Sequence, residues 1–247
     1  MSQQGPWLTR TARGSISSIQ IGHVRTLGGE RPGEASARPW TSAIIKTRVA
    51  GPVEVGALGI AGDEQADLKH HGGPDKAVLA YAASHYAAWA DEYPEHGFSP
   101  GAFGENLTLA GLDEGVGCIG DLLRIGSALL QITQPRQPCW KLSRLWGIPQ
   151  FAVRVQQSGR TGWYLRVVEA GRLSPGDVVM LVDRPYSAFT VAYAHAVMHG
   201  RPHDRAVDLE LANCAALAAS WQATLRRRAA GEELPCPLRR LEGDAAR

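Results

Sequence analysis

The chain lacks a C-x-x-C pair, although it holds four cysteines, Cys118, Cys139, Cys214 and Cys236. A zinc ribbon or thioredoxin-type motif is therefore not expected, and four cysteines in 247 residues do not make a disulfide framework. It also lacks H-x-x-H and H-E-x-x-H, a Walker A loop, and a dinucleotide fingerprint in which G-x-G-x-x-G directly follows a strand and opens a helix. No run approaches the roughly 18 apolar residues of a membrane span. The opening "MSQQGPWLTRTARGS" has no apolar signal core. Net charge is only +2, so any anion site must be local, and neither a nucleic acid polymer nor a membrane is an expected partner. The expected setting is a reducing cytoplasm. Apolar residues at 44% and charged residues at 20% leave ample material for a core.

From about Ser15 to Val182 the pattern is that of strands. "SISSIQIGHV" alternates apolar and polar residues, and "SAIIKTRV" and "AVLAYA" are of strand length. "DLLRIGSALLQIT" reads as a hairpin turning at Gly126-Ser127, and "TGWYLRVV" and "GDVVMLV" add two strands. Two short helices are expected between them: "SHYAAWADEY" with Ser84 as N-cap, and "WKLSRLWG" ending at Gly147. The prediction is a mainly β barrel or sandwich with inserted helices over residues 1–185. "RTLGGERPGEASARPW", near residues 25–40, is its longest structureless candidate.

After a short linker near Arg184-Pro185 the texture becomes Ala/Leu-rich. Leu217, Trp221 and Leu225 form one helical stripe, closed by Arg226, Arg227 and Arg228 at the negative end of the helix dipole. Asp204 is placed to cap another helix. Residues 186–247 are expected to form a small bundle of two or three helices with a loosely ordered tail.

Four stretches carry candidate chemistry. "TQPRQPCWKL" sets Cys139 behind Pro138, with Arg136 and Lys141 close by. Cations favour the reactive thiolate, and the prolines fix the approach. The alternative is a buried cysteine packed beside Trp140. "GDEQADLKHHGGPDKAV" brings His70, His71 and Lys76 into a glycine-rich loop able to meet a phosphate, or a turn that bonds to itself. "FGENLTLAGL" sets Glu105 and Asn106 at a strand entry, to orient a ligand or close a turn. "QSGRTGWYLRV" offers Ser158 and Arg160 in a compact basic loop suited to an oxyanion. Each signal is weak singly. Together they would suit a phosphorylated cofactor whose reactive atom meets sulfur.

In order, "GDEQADLKHHGGPDKAV", "FGENLT", "IGDLLRIG", "QITQPRQPCWKL", "SGRTGWYLRV" and "GDVVMLV" resemble the MOSC domain family, named for the C-terminal part of molybdenum cofactor sulfurases. The likeness is to its stand-alone bacterial, YiiM-like branch and covers about residues 15–185. It implies a β-barrel followed by a three-helix appendage. It implies a pocket for molybdenum cofactor (molybdopterin), with Cys139 as metal ligand. Related molybdenum proteins reduce N-hydroxylated compounds such as 6-hydroxylaminopurine, and the resemblance implies that activity here. His70, His71 and Glu105 are then candidates to supply protons. Lys76, Asn106, Arg136, Lys141, Ser158 and Arg160 are candidates to hold the cofactor. Sulfurase relatives carry a pyridoxal-phosphate domain, for which 247 residues leave no room; pyridoxal phosphate is at most a family-level association. With no flavin or iron–sulfur motif, the implied partners are a small-molecule substrate and an external electron donor, and a homodimer stays open. The competing readings are a carrier that hands cofactor or sulfur to another enzyme, and an interaction protein that keeps the fold without the metal.

Overall fold

The computed structural model describes residues 11–28 and 39–243, and of Lys69 and His70 the backbone alone. The reading of the N-terminus as leaderless rests largely on residues 1–10, outside the described part. The first half contributes β1 (Thr11–Ile21), β2 (Arg25–Leu27), β3 (Trp40–Ser42), β4 (Thr47–Val49), β5 (Val53–Gly56) and β6 (Gly59–Ile60). Then come α1 (Leu68–His71), β7 (Val78–Ala82), α2 (His85–Glu92) and β8 (Leu107–Ala110). β9 (Leu122–Ile125), β10 (Ala128–Pro135), α3 (Trp140–Trp146), α4 (Phe151–Ser158), β11 (Trp163–Glu169), β12 (Gly171–Leu173) and β13 (Val178–Asp183) complete the β part. The chain continues through α5 (Val191–His199), α6 (Arg205–Ala212), α7 (Ala219–Ala229) and α8 (Leu238–Glu242).

Seven strands close on themselves in the order β1-β13-β9-β10-β11-β7-β8, and β4 flanks the far end of β1. This is the mainly β barrel with short inserted helices and a helical C-terminal part that the sequence predicts. β1 closes it by breaking register twice, between Ala12 and Gly14 and between Ile16 and Ser18, so its first half pairs with β13 and its second with β8. A Cβ added at Gly14 would stand 1.9 Å from the Ala110 carbonyl oxygen, so only glycine fits this crossing. β7 and β8 are the parallel pair of the ring, which requires a long connection; α2 and the loop carrying Glu105 lie within it.

β7 is buried on both faces, and its period of two feeds two cores. Val78, Ala80 and Ala82 point into the barrel with Ile16, Leu109 and Trp163. Tyr81 joins Trp89, Phe98, Phe103, Leu142 and Phe151 in an aromatic cluster outside it. That second core seats α3, and so fixes where Cys139 stands.

The hairpin at Gly126-Ser127, the Gly147 C-cap and the Asp204 N-cap form as expected; the Asp204 carboxylate accepts from Ala206 N at 2.7 Å. Ser84 precedes α2 without a side-chain cap bond. Trp221 and Leu225 are buried on α7, with Leu217 just before it. Arg228 does more than meet a helix end: it pairs with buried Asp208 and donates to the Val197 and Met198 carbonyls, knotting α5, α6 and α7 together.

Three expectations need correction. Part of the stretch near residues 25–40 is ordered, because β2 and β3 pair antiparallel; residues 29–38 lie outside the described part. α4 was not anticipated: it starts after Gln150 at φ 55, without a cap bond, and is held by burial of Phe151, Ala152 and Val155. The tail is not loose throughout: from Leu238 on, α8 buries Leu241 and packs on α3 and α4.

Candidate functional site

β10 ends at Pro135 and α3 begins at Trp140, so Arg136 to Cys139 bridge a barrel strand to the aromatic cluster. Arg136 N donates to the Gly162 carbonyl at 2.9 Å, which extends the β10–β11 pairing by one step. Gly162 stands at φ +74, and a Cβ there would fall 2.4 Å from the Ala80 carbonyl oxygen. Its N–H donates to Glu114 at 2.7 Å, so this glycine serves the barrel wall and not an oxyanion. Cys139 takes the N-cap position of α3 with extended backbone (φ −127, ψ 164) and makes no side-chain cap bond. Its thiol, on a residue 8% exposed, lies instead on the wall of a cleft.

The cleft encloses about 640 Å³ of atom-free space, including its open mouth. His71, Lys76, Arg136 and Lys141 line it with Cys139 and Tyr164. Arg136 is 5% exposed; its Nη2 donates to the Phe103 carbonyl at 3.2 Å, while its Nη1 is buried without a partner. With that donor unused beside the cleft, Arg136 is placed to meet an anion there. Burial lowers Lys76, with Asp75 and Asp67 opposing. Burial pushes Tyr164 up to about 12. Burial, together with the charges of Arg136, Lys76 and Lys141, pushes His71 down to about 4, so its ring is neutral at pH 7. It offers an N–H or a lone pair there, not the ready proton expected from a histidine titrating near neutrality.

Another part of the lining is a fixed polar network. Lys46 and Asp63, both deeply buried, form an ion pair. Asp63 also accepts from Gly22 N at 2.7 Å and from Asn106 Nδ2 at 2.9 Å. Asn106 accepts from Leu79 N at 3.1 Å, so although it borders the cleft both ends of its amide are engaged by protein.

His71, Lys76, Asn106, Arg136, Cys139 and Lys141 thus converge; Glu105, Ser158 and Arg160 do not line this cleft. Glu105 is fully buried and accepts from Gly101 N (2.6 Å), Phe103 N (3.1 Å), Thr108 Oγ1 (3.1 Å) and the Tyr86 hydroxyl, which turns it into the anchor of its own loop. Ser158 Oγ donates to the Val155 carbonyl at 2.8 Å at the end of α4. Arg160 pairs with Glu92 at 2.8 Å and lies 3.8 Å over the Trp89 ring, held by partners distant in sequence. The His70 side chain lies outside the described part. Sequence reasoning missed Lys46, Asp63 and Tyr164. Strand alternation could have found Tyr164: Trp163 and Leu165 face the barrel core, so Tyr164 faces out.

The depressed His71 makes stability depend on pH in a defined direction. The unfolded chain takes up this proton near 6.5, whereas the folded chain resists it until about 4. Stability is therefore fully present above pH 6.5 and falls as pH drops towards 4. At pH 5 the His71 contribution is a loss of about 1–2 kcal/mol. Denaturant midpoints at pH 7.5 and 5.0 should separate by less in His71→Asn than in the wild type; equal separations would remove His71 from the account.

Among the described residues no three His, Cys, Asp or Glu side chains converge to hold a metal ion. Cys139 is the soft donor on this wall that a metal carried within a cofactor would meet. The donor set fits such a group: a soft thiol, a buried guanidinium with one unpartnered nitrogen and two lysines. No described helix is long and apolar enough to cross a membrane.

Comparison with known proteins agrees with this architecture. Residues 67–180 match the MOSC domain, and residues 189–231 match the YiiM-like, 3-alpha helix domain. Protein YiiM of Escherichia coli (strain K12) is 40% identical over 204 residues, 82% of this chain and 91% of that protein. A protein of Gibberella moniliformis (strain M3125 / FGSC 7600) named "Reductase" is 35% identical over 193 residues; the match covers 76% of this chain but only 33% of that longer one. The crystal structure of YiiM from Geobacillus stearothermophilus superposes with a TM-score of 0.73 at 36% identity, over 87% of this chain and 99% of that one. By barrel, helical domain and these relatives, the chain belongs to the MOSC domain family, in its YiiM-like branch.

Proposed function

We propose that the cleft binds molybdenum cofactor and that the chain reduces N-hydroxylated compounds, 6-hydroxylaminopurine among them, to the corresponding amines. The observation that carries this reading is the juxtaposition of the Cys139 thiol with Arg136, whose Nη1 is buried and unpartnered, on a wall shared with Lys76 and Lys141. Such a wall suits the phosphate of a pterin cofactor, and the sulfur suits its metal. When bound, the cofactor supplies a two-electron couple. Arg136, Lys76 and Lys141 hold its anionic groups, and Cys139 Sγ is the protein ligand. The net change is R–NH–OH plus two electrons and two protons to R–NH2 plus water, with the N–O bond broken and oxygen leaving as water. His71, neutral, can donate a hydrogen bond from a ring N–H to the departing oxygen, while the two protons of the reaction enter from solvent through the open mouth. The electrons come from an external donor, because the sequence holds no flavin or iron–sulfur motif. The fungal relative's name, "Reductase", points the same way.

The test is expression with a supply of molybdenum cofactor and purification without oxygen. Metal content, the pterin released on oxidation and the conversion of 6-hydroxylaminopurine to adenine with a chemical reductant are then measured. Near-stoichiometric metal with adenine formation is the expected result. Metal without turnover would mark the chain as a cofactor carrier, and absence of metal would remove the chemistry from the cleft.

A further inference from the structure

Behind the loop that carries Cys139 lies the C-terminal helix α8. Arg240 Nη1 donates to the carbonyl of Pro138, the residue just before Cys139. Its Nη2 donates to Gln156 Oε1 on α4 at 2.6 Å. The Gln156 backbone carbonyl in turn accepts from His195 Nε2 of α5 at 2.8 Å. At the end of α8, a Cβ added at Gly243 would stand 3.1 Å from the ring of Trp140, the residue just after Cys139. Of the two neighbours of the cysteine, Pro138 is bonded by α8 and Trp140 is approached closely by the glycine that ends it. Burial pushes the Arg240 guanidinium down to about 10, which leaves it charged at neutral pH.

We propose that Arg240 is a positioning residue for Cys139: through the Pro138 carbonyl it holds the cysteine loop against α4, so that the thiol stays on the cleft wall. The inference rests on the reading of Cys139 as the working thiol. The physical case is one of local freedom. The Cys139 side chain makes no cap bond, and the segment between β10 and α3 is short and irregular. The Arg136 N–H fixes one end of it to the barrel, and the Arg240 fork fixes the other to α4. A guanidinium suits this task because its planar fork reaches two acceptors at once. The tail thus acts on the site from behind, without lining the cleft.

The test uses the metal-free full-length chain and reads the alkylation rate of Cys139 by iodoacetamide at fixed pH, by mass spectrometry of its peptide. Arg240→Ala should react about tenfold faster, because a hydrogen bond from a charged donor restrains local opening by about that factor. Arg240→Lys should fall back towards the wild-type rate, since an ammonium can still donate to the Pro138 carbonyl. Gln156→Leu, which removes one anchor of the fork, should lie between. The buried thiols of Cys118 and Cys214 should keep their wild-type rates in every variant. An unchanged Cys139 rate in Arg240→Ala would overturn the proposal. So would a rise shared equally by Cys118 and Cys214, which would report general unfolding. Because this readout needs no metal, it stands or falls apart from the cofactor reading, which metal content and turnover decide.

Discussion

Cys139→Ser should lose bound molybdenum and at least about 100-fold of its N-hydroxylamine reduction while keeping its thermal midpoint, since replacing a thiol by a hydroxyl exchanges a soft ligand for a hard one. The case for an intact fold comes from the local geometry. Cys139 holds the N-cap of α3 through its backbone, with no bond from its sulfur. Serine has the same shape less a fraction of its volume, and serine is favoured at an N-cap. The aromatic cluster seating α3 is built from Leu142, Phe151 and their neighbours, none of which moves with the substitution. A stability change within about 0.5 kcal/mol is expected. A cysteine that merely filled space would behave the other way: its serine variant would be less stable and chemically unaltered. Metal content, turnover and melting temperature on one preparation separate the two. Retained metal and turnover in Cys139→Ser would return this residue to a packing role.

How much of this was legible in advance follows from the range of the forces involved. The barrel strands were readable because their signal is local: alternation in "SISSIQIGHV" and a glycine turn at Gly126 fix the direction of side chains a few residues apart. The Cys139 loop was readable as a site because its prolines, cations and thiol are adjacent in the chain. Arg136 and Arg160 look alike in sequence and each keeps one buried Nη1 without a partner, yet only Arg136 lines the cleft, while Arg160 is held by Glu92, 68 residues away, and by the face of Trp89. No local pattern distinguishes them. The same holds for the tail. "LRRLE" is unremarkable by itself, and its order comes from acceptors on Pro138 and Gln156 that only the folded barrel presents. α4 begins at a left-handed Gln150, a start that capping rules do not anticipate. The polar pair Glu105-Asn106 stands out at its strand entry, but a carboxylate that faces a ligand and one that faces its own backbone have the same sequence.

Glu105→Ala should unfold the chain at a temperature lower by about 10 °C or more, whatever it does to activity. Both carboxylate oxygens face inward: two backbone N–H groups, from Gly101 and Phe103, and two hydroxyls, from Thr108 and Tyr86, converge on them. Oε1 takes three of these donors and Oε2 the fourth, and the fully buried carboxylate lies outside the cleft lining, so it faces its own loop and not a ligand there. Alanine would leave those buried donors unpaired at about 1–3 kcal/mol each, less than additively as neighbours relax, for a total of about 3–5 kcal/mol. The effect should spread to the site by one further step. The loop anchored by Glu105 presents the Phe103 carbonyl, which accepts from Arg136 Nη2 at 3.2 Å. Loosening that loop releases the guanidinium from one of its fixed partners and weakens anion binding in the cleft. Glu105→Gln should be intermediate, since an amide keeps one acceptor but turns a donor towards donors. A proton donor in the reaction would give the opposite pattern, with both variants melting normally and neither turning over. Melting curves of the metal-free variants decide between the two, because no cofactor is needed to read them.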